Sequence, residues 1–570
     1  MLSKSLVLVL SAVVVYSYHN VYSPIYTPSS ILVIILSYIF TITAISSLNF
    51  ILGRDLAEHI RVASLNSKGV AKGTTGKVIF VPPVRSFIPF NLQNLYNTIK
   101  LQGKSHPATF ARPSFTYLKS DTINLRTLGR NDIFTKDPLV MKHFLHSDYF
   151  TNYGKGPIFK GAFKTFLGVG IFNSDPDDVW KFHRNLTKKF FNKERITDFN
   201  SFYVDKMIKG VLNQNGQASL VDAQDIFRRF TFDASSEFLF GYQSNALDKL
   251  VTGKDSTDGF AEAFDAAGFN TLRGFFLSDL RSLYELIFGS LTLPHVTKID
   301  NIVVYNIIDM ALKRQKQTVH KNHSPEDHAC VLDYLLTQTQ DRQIVRDELL
   351  NLLLAGRDTT AALLTSLFVE FAKNDNVFQR ARQICIELFG EDGAPDYSIL
   401  NNYANNASVT FLRALLKETL RVYPPVPVNS RYAFKDDVAV GSDGQNYFIP
   451  AGSICRYSLW DMQKDEKYWG PDAKVWDPTR WLDERVKIMT ENPSIFQPFS
   501  AGPRTCLGLN HAYNQATLVL VRMCQAFERV ELATDVQESI LPVAQLTLHW
   551  RGGAWLRLTP TNTSDPTVSC

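Results

Sequence analysis

Apolar and polar positions divide this chain unevenly. Residues 5–53 form a run of 49 positions without Asp, Glu, Lys or Arg. Two apolar stretches lie inside it, residues 6–18 and residues 31–52. A membrane-spanning helix needs about 20 mostly apolar residues. The second stretch is long enough, with Ser37, Thr41, Thr43, Ser46, Ser47 and Asn49 along it. The first is shorter, and its pattern is that of a second span, an interfacial segment or the apolar part of a signal peptide. Lys4 suits a signal peptide, but no clear small-x-small cleavage site follows. Beyond the second stretch come Arg54, Arg61, Lys68, Lys72, Lys77 and Arg85 against Asp55 and Glu58. An excess of Lys and Arg marks the cytosolic side, which places the bulk of the chain there.

Residues 69–91, with Gly, Thr and the paired Pro82 and Pro83, read as a linker. From Lys100 to about Pro560 no repeat, low-complexity tract or second linker occurs. The expected organisation is therefore a membrane anchor over residues 1–53, a membrane-proximal segment over 54–99 and one large domain over 100–570. Helical patterns dominate that domain, with short strand-like runs near residues 122–127, 438–450 and 544–558. The fold class is mainly α with small β-sheets. Residues 341–373 predict a single helix of about 50 Å. Its middle reads Leu352-Leu353-Leu354-Ala355-Gly356-Arg357-Asp358-Thr359-Thr360-Ala361-Ala362. Gly alone costs about 1 kcal/mol against Ala inside a helix. Polar residues breaking a local rule in the middle of an apolar helix point to function.

Composition narrows the classes. The chain has 570 residues, of which 45% are hydrophobic and 20% charged, so neither disorder nor a polytopic transporter is the main reading. Lys and Arg number 60 against 55 Asp and Glu, an excess too small to argue for a nucleic-acid partner. The six cysteines form no CxxC pair, which removes disulfide scaffolds, zinc ribbons and thioredoxin-type sites. Their sparseness fits a reducing compartment.

The strongest chemical signal is Phe499-Ser500-Ala501-Gly502-Pro503-Arg504-Thr505-Cys506-Leu507-Gly508. Gly502 and Pro503 make a turn, and Cys506 stands close to the start of an apolar helix. Unpaired N–H groups and the positive end of the helix dipole favour a thiolate there. A thiolate is a strongly electron-donating axial ligand for haem iron. Gly508 lets a flat macrocycle approach the backbone, Arg504 can pair with a propionate, and Phe499 can shield the sulfur. Cys330, Cys385, Cys455, Cys524 and Cys570 lack such surroundings and read as small buried hydrophobes.

The pattern Phe-x-x-Gly-x-Arg-x-Cys-x-Gly resembles, at every position, the haem-binding signature of the cytochrome P-450 superfamily. Further segments carry the resemblance. Glu418-Thr419-Leu420-Arg421 resembles the family's Glu-x-x-Arg, and Asp477-Pro478-Thr479-Arg480-Trp481 the segment that supplies a second arginine. The resemblance implies a buried scaffold of Glu418, Arg421 and Arg480 behind the cysteine loop. Ala355-Gly356-Arg357-Asp358-Thr359-Thr360 resembles the distal helix. Ala355 and Gly356 would leave room for dioxygen, Thr359 would hydrogen-bond it or an ordered water, and Asp358 would relay protons. The alternative for this pair is local: Thr359 bonding back to the preceding turn, and Asp358 pairing with Arg357 or another base. Trp180-Lys181-Phe182-His183-Arg184 resembles Trp-x-x-x-Arg, which places Trp180 and Arg184 against a haem propionate. Arg431 matches a further propionate contact.

Lys181, Arg184, Lys188, Lys189, Lys193 and Arg195, with Glu194 the single acid, form either a solvated basic face or a docking patch for an acidic electron donor. No Gly-x-Gly-x-x-Gly fingerprint follows a strand, so NADPH would act indirectly, through a membrane-bound NADPH–cytochrome reductase. The resemblance is nearest to fungal, basidiomycete-type, membrane-bound alkane and fatty-acid hydroxylases. It implies a haem b monooxygenase with axial ligand Cys506 and O2 as co-substrate. The protein would be anchored in the endoplasmic reticulum membrane, in contact with lipid and facing the cytosol. The substrate would be lipophilic, a long-chain fatty acid or alkane. Xenobiotic or polycyclic aromatic oxidation, reductase-independent peroxide rearrangement and a non-enzymatic haem carrier or sensor are the alternatives. Three segments depart from the pattern: the poorly matched hinge at residues 81–89, Met462-Gln463-Lys464, and Leu509-Asn510-His511.

Overall fold

The structure, a computed structural model, describes residues 55–561 apart from 68–76, 85–90, 92–95, 97–99, 102–103, 128–129, 192–196, 213–217, 254–258, 278–280, 282–284, 286–288, 318–329 and 402–405. Both apolar stretches of the amino terminus lie outside the described residues, as do Lys193, Glu194, Arg195 and Cys570.

The chain packs as two units. The smaller joins the amino-terminal segment up to Val81 with Asp436–Pro450. In it, the strand Val78–Phe80 runs parallel to Asn446–Ile449, which pairs antiparallel with Asp437–Val440. The segment expected to be a linker thus contains a strand, because Val78 and Phe448 give it a small apolar core of its own. Arg61 and Asp436 form an ion pair of 2.8 Å in the same unit.

The larger unit comprises Pro82–Lys435 and Ala451–Cys570. It is helical, with one five-stranded sheet in the order Thr122–Asn124, Asp132–Thr135, Ile454–Ser458, Val428–Ala433, Tyr153–Gly154. Asp132–Thr135 and Ile454–Ser458 pair in parallel, and the other neighbours are antiparallel. This register sets Arg431 opposite Cys455 and Ser430 opposite Arg456. A three-stranded sheet joins Phe527–Leu532, Trp555–Pro560 and Ser219–Asp222, and a hairpin joins Pro542–Ala544 to Leu548–Trp550.

The axis of the larger unit is the helix Arg342–Lys373. Asp341 caps it, its carboxylate accepting from the N–H groups of Gln343 at 2.8 Å and Ile344 at 3.2 Å. Two apolar cores share this helix. Val345, Leu349, Leu350, Leu353 and Leu354 belong to one, with Phe163, Phe166, Phe232 and Phe264. Ala361, Leu363, Leu364, Leu367, Phe368 and Phe371 belong to the other, with Phe227, Phe230, Leu416 and Leu518. Residues 355–360 fall between the two. The polar stretch that breaks the helical pattern therefore sits at the junction of the two cores, with Arg357 packed over Phe232 and Phe264 of the first. Among the described residues this is the one helix long and apolar enough to cross a membrane, but it is the buried centre of the fold.

Candidate active site

The cysteine loop is shaped by backbone sterics. Gly502 has φ +64, and a Cβ there would fall 1.9 Å from the Leu145 carbonyl oxygen. Only glycine fits, because that φ and that space both exclude a side chain. The turn Gly502–Arg504 follows, closed by the Thr505 N–H donating to the Gly502 carbonyl at 3.0 Å. The Cys506 N–H donates to the Phe499 carbonyl at 3.0 Å. The Phe499 ring packs 5.3 Å from Tyr513. The helix Leu509–Ala526 begins after Gly508. Gly508 itself has an ordinary φ of −84. A Cβ on it would meet only Cys506 Sγ, at 3.9 Å. The space beside it is open.

Cys506 is exposed, while the other described cysteines, Cys330, Cys385, Cys455 and Cys524, are buried. Its thiol is nevertheless ringed by protein. That surrounding protein pushes the thiol above its ordinary range, against the pull of the Gly508 N–H and Arg184. Those two groups favour the thiolate that the sequence leads one to expect, and a coordinated metal ion would deprotonate a ligating thiol outright.

Beside the loop, cations gather without enough anions. Arg504 donates to the Ser174 carbonyl at 2.6 Å and lies 5.2 Å over the Trp180 ring, while its Nε is buried without a hydrogen-bond partner. Burial and the nearby Arg431 push Arg504 down to about 9. Lys155 is buried over the rings of Phe159 and Phe172, at 4.3 and 4.4 Å. Burial, then Arg431 and Arg504, hold it well below the usual lysine range. The nearest acid, Asp175, is already engaged by the N–H groups of Lys155 and Gly156 and by Lys160 at 2.8 Å. The helix Asp178–Phe191 carries Trp180, buried, and Arg184, which donates to the Thr505 carbonyl at 2.8 Å. Arg431 is buried, donating to the Ser430 carbonyl at 3.0 Å. Buried positive charge with open hydrogen-bonding capacity is the complement of a dianion such as the two propionates of haem. Lys155 is absent from the sequence reading. In Gly154-Lys155-Gly156 it looks like an ordinary loop lysine; in the fold it precedes the helix Gly156–Leu167 and is buried.

Glu418, Arg421 and Arg480 are brought together and fully buried. Arg421 grips Glu418 with Nε at 2.9 Å and a terminal nitrogen at 2.7 Å. Arg480 stands further off, its Nε 3.6 Å from Glu418, and is held instead by Asp472 at 2.8 Å. Trp481 and the Asp477 N–H complete the carboxylate, each at 2.9 Å.

On the long helix the expected residues separate. Ala355 and Thr359 line a cavity of about 210 Å³ with Phe110, Phe159, Phe163, Phe172, Phe275 and Leu546. Gly356 does not; it faces the helix Ala223–Phe240, where a Cβ would lie 3.6 Å from Ser235 Oγ. The Thr359 hydroxyl donates to the Ala355 carbonyl at 2.7 Å, the local alternative of the sequence reading. Asp358 lines a separate, polar cavity with Arg228, Asp265 and His549. It stands 3.8 Å from Arg357 Nε and 3.9 Å from Arg228 Nε, and its Oδ1 is buried without a hydrogen bond. Both arginines are bound at their outer nitrogens by Asp265, Arg228 at 2.6 Å. Asp265 lies 93 residues upstream of Asp358 (358 − 265) with no local signal to reveal it.

A family profile described as Cytochrome P450 matches residues 90–551. Among curated relatives, "Cytochrome P450 52A12" of Debaryomyces hansenii is 33% identical over 80% of this chain and 87% of the relative. "Cytochrome P450 monooxygenase himC" of Aspergillus japonicus is 34% identical over 72% and 71% of the two chains. "Cytochrome P450 52A9" of Candida maltosa is 31% identical over 82% and 90%. An exposed cysteine on a sterically fixed loop, a cluster of buried cations beside it and an apolar cavity over a polar break in the central helix thus coincide with a match across most of the sequence, and this chain belongs to the cytochrome P450 family of haem-thiolate monooxygenases.

Proposed function

We propose that this P450 is anchored in the endoplasmic reticulum membrane by its uncharged amino terminus. It would insert one oxygen atom of O2 into a C–H bond of a long-chain fatty acid or alkane. Electrons would come from an NADPH–cytochrome reductase. One observation supports this most: the cavity that reaches Ala355 and Thr359 is walled by phenylalanines. Arg456, a cation on that wall, is matched by Asp132 at 2.8 Å. Such a wall takes an apolar chain by area buried, at about 25 cal/mol per Å².

Haem bound here would supply iron that activates dioxygen, with a thiolate as its electron-donating ligand. Cys506 would be that ligand. Lys155, Arg184, Arg431 and Arg504 would hold the propionates, and Trp180 would pack against them. Glu418, Arg421 and Arg480 would keep the segments around the cysteine loop in place. Thr359 has its hydroxyl proton committed to Ala355 and offers oxygen lone pairs to a water. Asp358, with an unpartnered buried oxygen, can take up a proton and release it. The exposed Lys181 and Lys188 project from the Trp180 helix as part of the docking face for the reductase.

The test is a titration of purified holoprotein with n-alkanes and fatty acids, read as a shift of the haem absorption band, followed by product analysis with NADPH and reductase. Band shifts and terminally or subterminally oxidised chains are the expected result. A second reading, oxidation of aromatic compounds, draws on the ring-on-ring wall itself, where Phe159 and Phe163 stack at 4.5 Å. Shifts and products with polycyclic aromatics alone would replace the aliphatic assignment with that one.

A further inference from the structure

We propose that His549 passes protons from solvent to Asp358 across the small polar cavity that both residues line. The inference rests on the proposed role of Asp358 and adds the group that recharges it. His549 touches neither substrate nor haem and acts through Asp358.

His549 lies on the strand Leu548–Trp550, far in sequence from the distal helix. The fold nevertheless places His549, Thr547 and Gln545 around one cavity with Arg228, Asp265 and Asp358. The cavity holds about 50 Å³, room for at least one water with polar partners on several sides. Leu272, Leu354 and Leu546 line both this cavity and the larger apolar one, and so do Gln545 and Thr547, so the wall between them is part apolar and part polar. Asp358 presents a buried Oδ1 with no hydrogen-bond partner, and the Nε atoms of Arg228 and Arg357 beside it are equally unpartnered. These groups leave hydrogen-bonding positions for water.

The orientation of the imidazole is also defined. Its Nδ1 lies 3.2 Å from the Thr547 carbonyl, which only accepts, and 3.5 Å from the Thr547 hydroxyl; the shorter contact favours the tautomer with hydrogen on Nδ1. Nε2 is then the nitrogen that gains and loses a proton. His549 is half-buried, and Gln545, which lines both cavities, is exposed.

The step balances without any further reagent. Imidazolium Nε2–H gives its proton through one water to the Asp358 carboxylate, and the neutral imidazole takes a proton back from solvent. The charged groups facing His549 are Arg228, Asp358 and Asp265, with Arg357 behind the two acids. Burial, then Arg228, hold the imidazole below its ordinary range, while Asp358, the Thr547 carbonyl and Asp265 pull it up. A weakly held proton is one that is readily given.

The experiment uses full-length holoenzyme in two arms. In the first, 13C-labelled histidine is titrated by NMR, with the His549 resonance identified as the one that His549→Gln removes. Asp358→Asn should lower the His549 midpoint, because the carboxylate that raises it is gone. An unmoved midpoint overturns the relay. In the second arm, reductase, NADPH and a long-chain n-alkane are supplied, and the share of NADPH diverted to hydrogen peroxide is measured against pH. His549→Gln keeps an N–H for the Thr547 carbonyl but cannot carry a proton. It should retain haem and the reduced carbon-monoxide band, raise the peroxide share by on the order of tenfold, and remove the rise of that share with pH. Asp358→Asn separates the readings. If it raises the peroxide share while His549→Gln does not, the relay falls and the acid stands. If Asp358→Asn changes nothing, both fall. Should His549→Gln lose haem, His549→Asn supplies the assignment instead and the titration arm with the native histidine still decides.

Discussion

The cysteine loop and the middle of the long helix lie in one domain, yet they are built on opposite principles. The loop is held by contacts that tolerate no substitute: a glycine at φ +64 against a carbonyl, and behind it a carboxylate with every lone pair engaged. The helix stretch is held by the packing of the cores on either side of it and by Arg357 bound to Asp265, while two of its polar groups are loosely committed. Thr359 bonds within its own turn, and Asp358 keeps an oxygen free. One region must not move, whereas the other must let protons move. Substitutions in the first should act on folding and haem retention, and substitutions in the second on the fate of electrons.

The largest effect should come from Glu418→Gln. It leaves Arg421, fully buried, without its carboxylate and takes from Arg480 the more distant of its two. Breaking such a network costs about 3–5 kcal/mol. Denaturant unfolding should show that loss, and the reduced carbon-monoxide band should disappear. Retention of the band with an unchanged unfolding midpoint would erase the contrast between the two regions. Gly502→Ala comes next. Its Cβ must displace the Leu145 carbonyl and adopt a left-handed φ, at about 2–3 kcal/mol. The loop should open, with haem content falling further than stability does.

This difference also explains what the sequence shows and what it hides. The cysteine loop and Glu418–Arg421 are local in the chain, so spacing reveals them. The expected helix over residues 341–373 is found at Arg342–Lys373 because its apolar pattern and its Asp341 cap agree. The strand-like runs near 122–127 and 438–450 overlap the strands Thr122–Asn124, Asp437–Val440 and Asn446–Ile449. The parallel pairing of Asp132–Thr135 with Ile454–Ser458 joins segments some three hundred residues apart, and no local pattern encodes it. The same holds for Lys155, Asp265 and His549, each an ordinary residue in its own neighbourhood. Gly356 shows something its motif does not: a Cβ there would lie 3.6 Å from Ser235 Oγ of a neighbouring helix.

Lys155→Met should produce a smaller effect whose sign depends on haem. Without haem, the variant removes a buried cation set against Arg431 and Arg504 and should be more stable by about 1 kcal/mol, even after losing its contacts with Phe159 and Phe172. With haem, it removes a partner for a propionate, and haem should dissociate faster. The pH dependence has the same origin. Folded Lys155 holds its proton less tightly than the unfolded chain, whose lysines lie near 10.5. Between the two values the unfolded state binds more protons, so the stability of the haem-free protein rises as pH climbs toward 10.5. Lys155→Met should flatten that slope. A steeper slope, or a haem-free variant less stable than the parent, would show the cation cluster to be compensated within the protein.

Thr359→Ala should have the smallest effect on stability and still change chemistry. The hydroxyl bonds only to the Ala355 carbonyl of its own helix. Such an intrahelical bond is worth little, because that carbonyl keeps its backbone partner. Alanine is the better helix former by about 0.6 kcal/mol, which offsets the lost bond. The unfolding midpoint and the haem content should therefore match the parent within error. What disappears is an oxygen atom in the wall of the large cavity, next to the stretch where Asp358 faces the polar one. NADPH consumption should continue while a larger share of it ends as hydrogen peroxide, and Thr359→Ser, which restores the oxygen, should return the balance toward product. If alanine loses haem or destabilises the fold as Glu418→Gln does, the helix stretch is structural in the same sense as the loop. If serine fails to restore coupling while alanine uncouples, the methyl group rather than the hydroxyl matters, and Thr359 shapes the cavity instead of guiding protons.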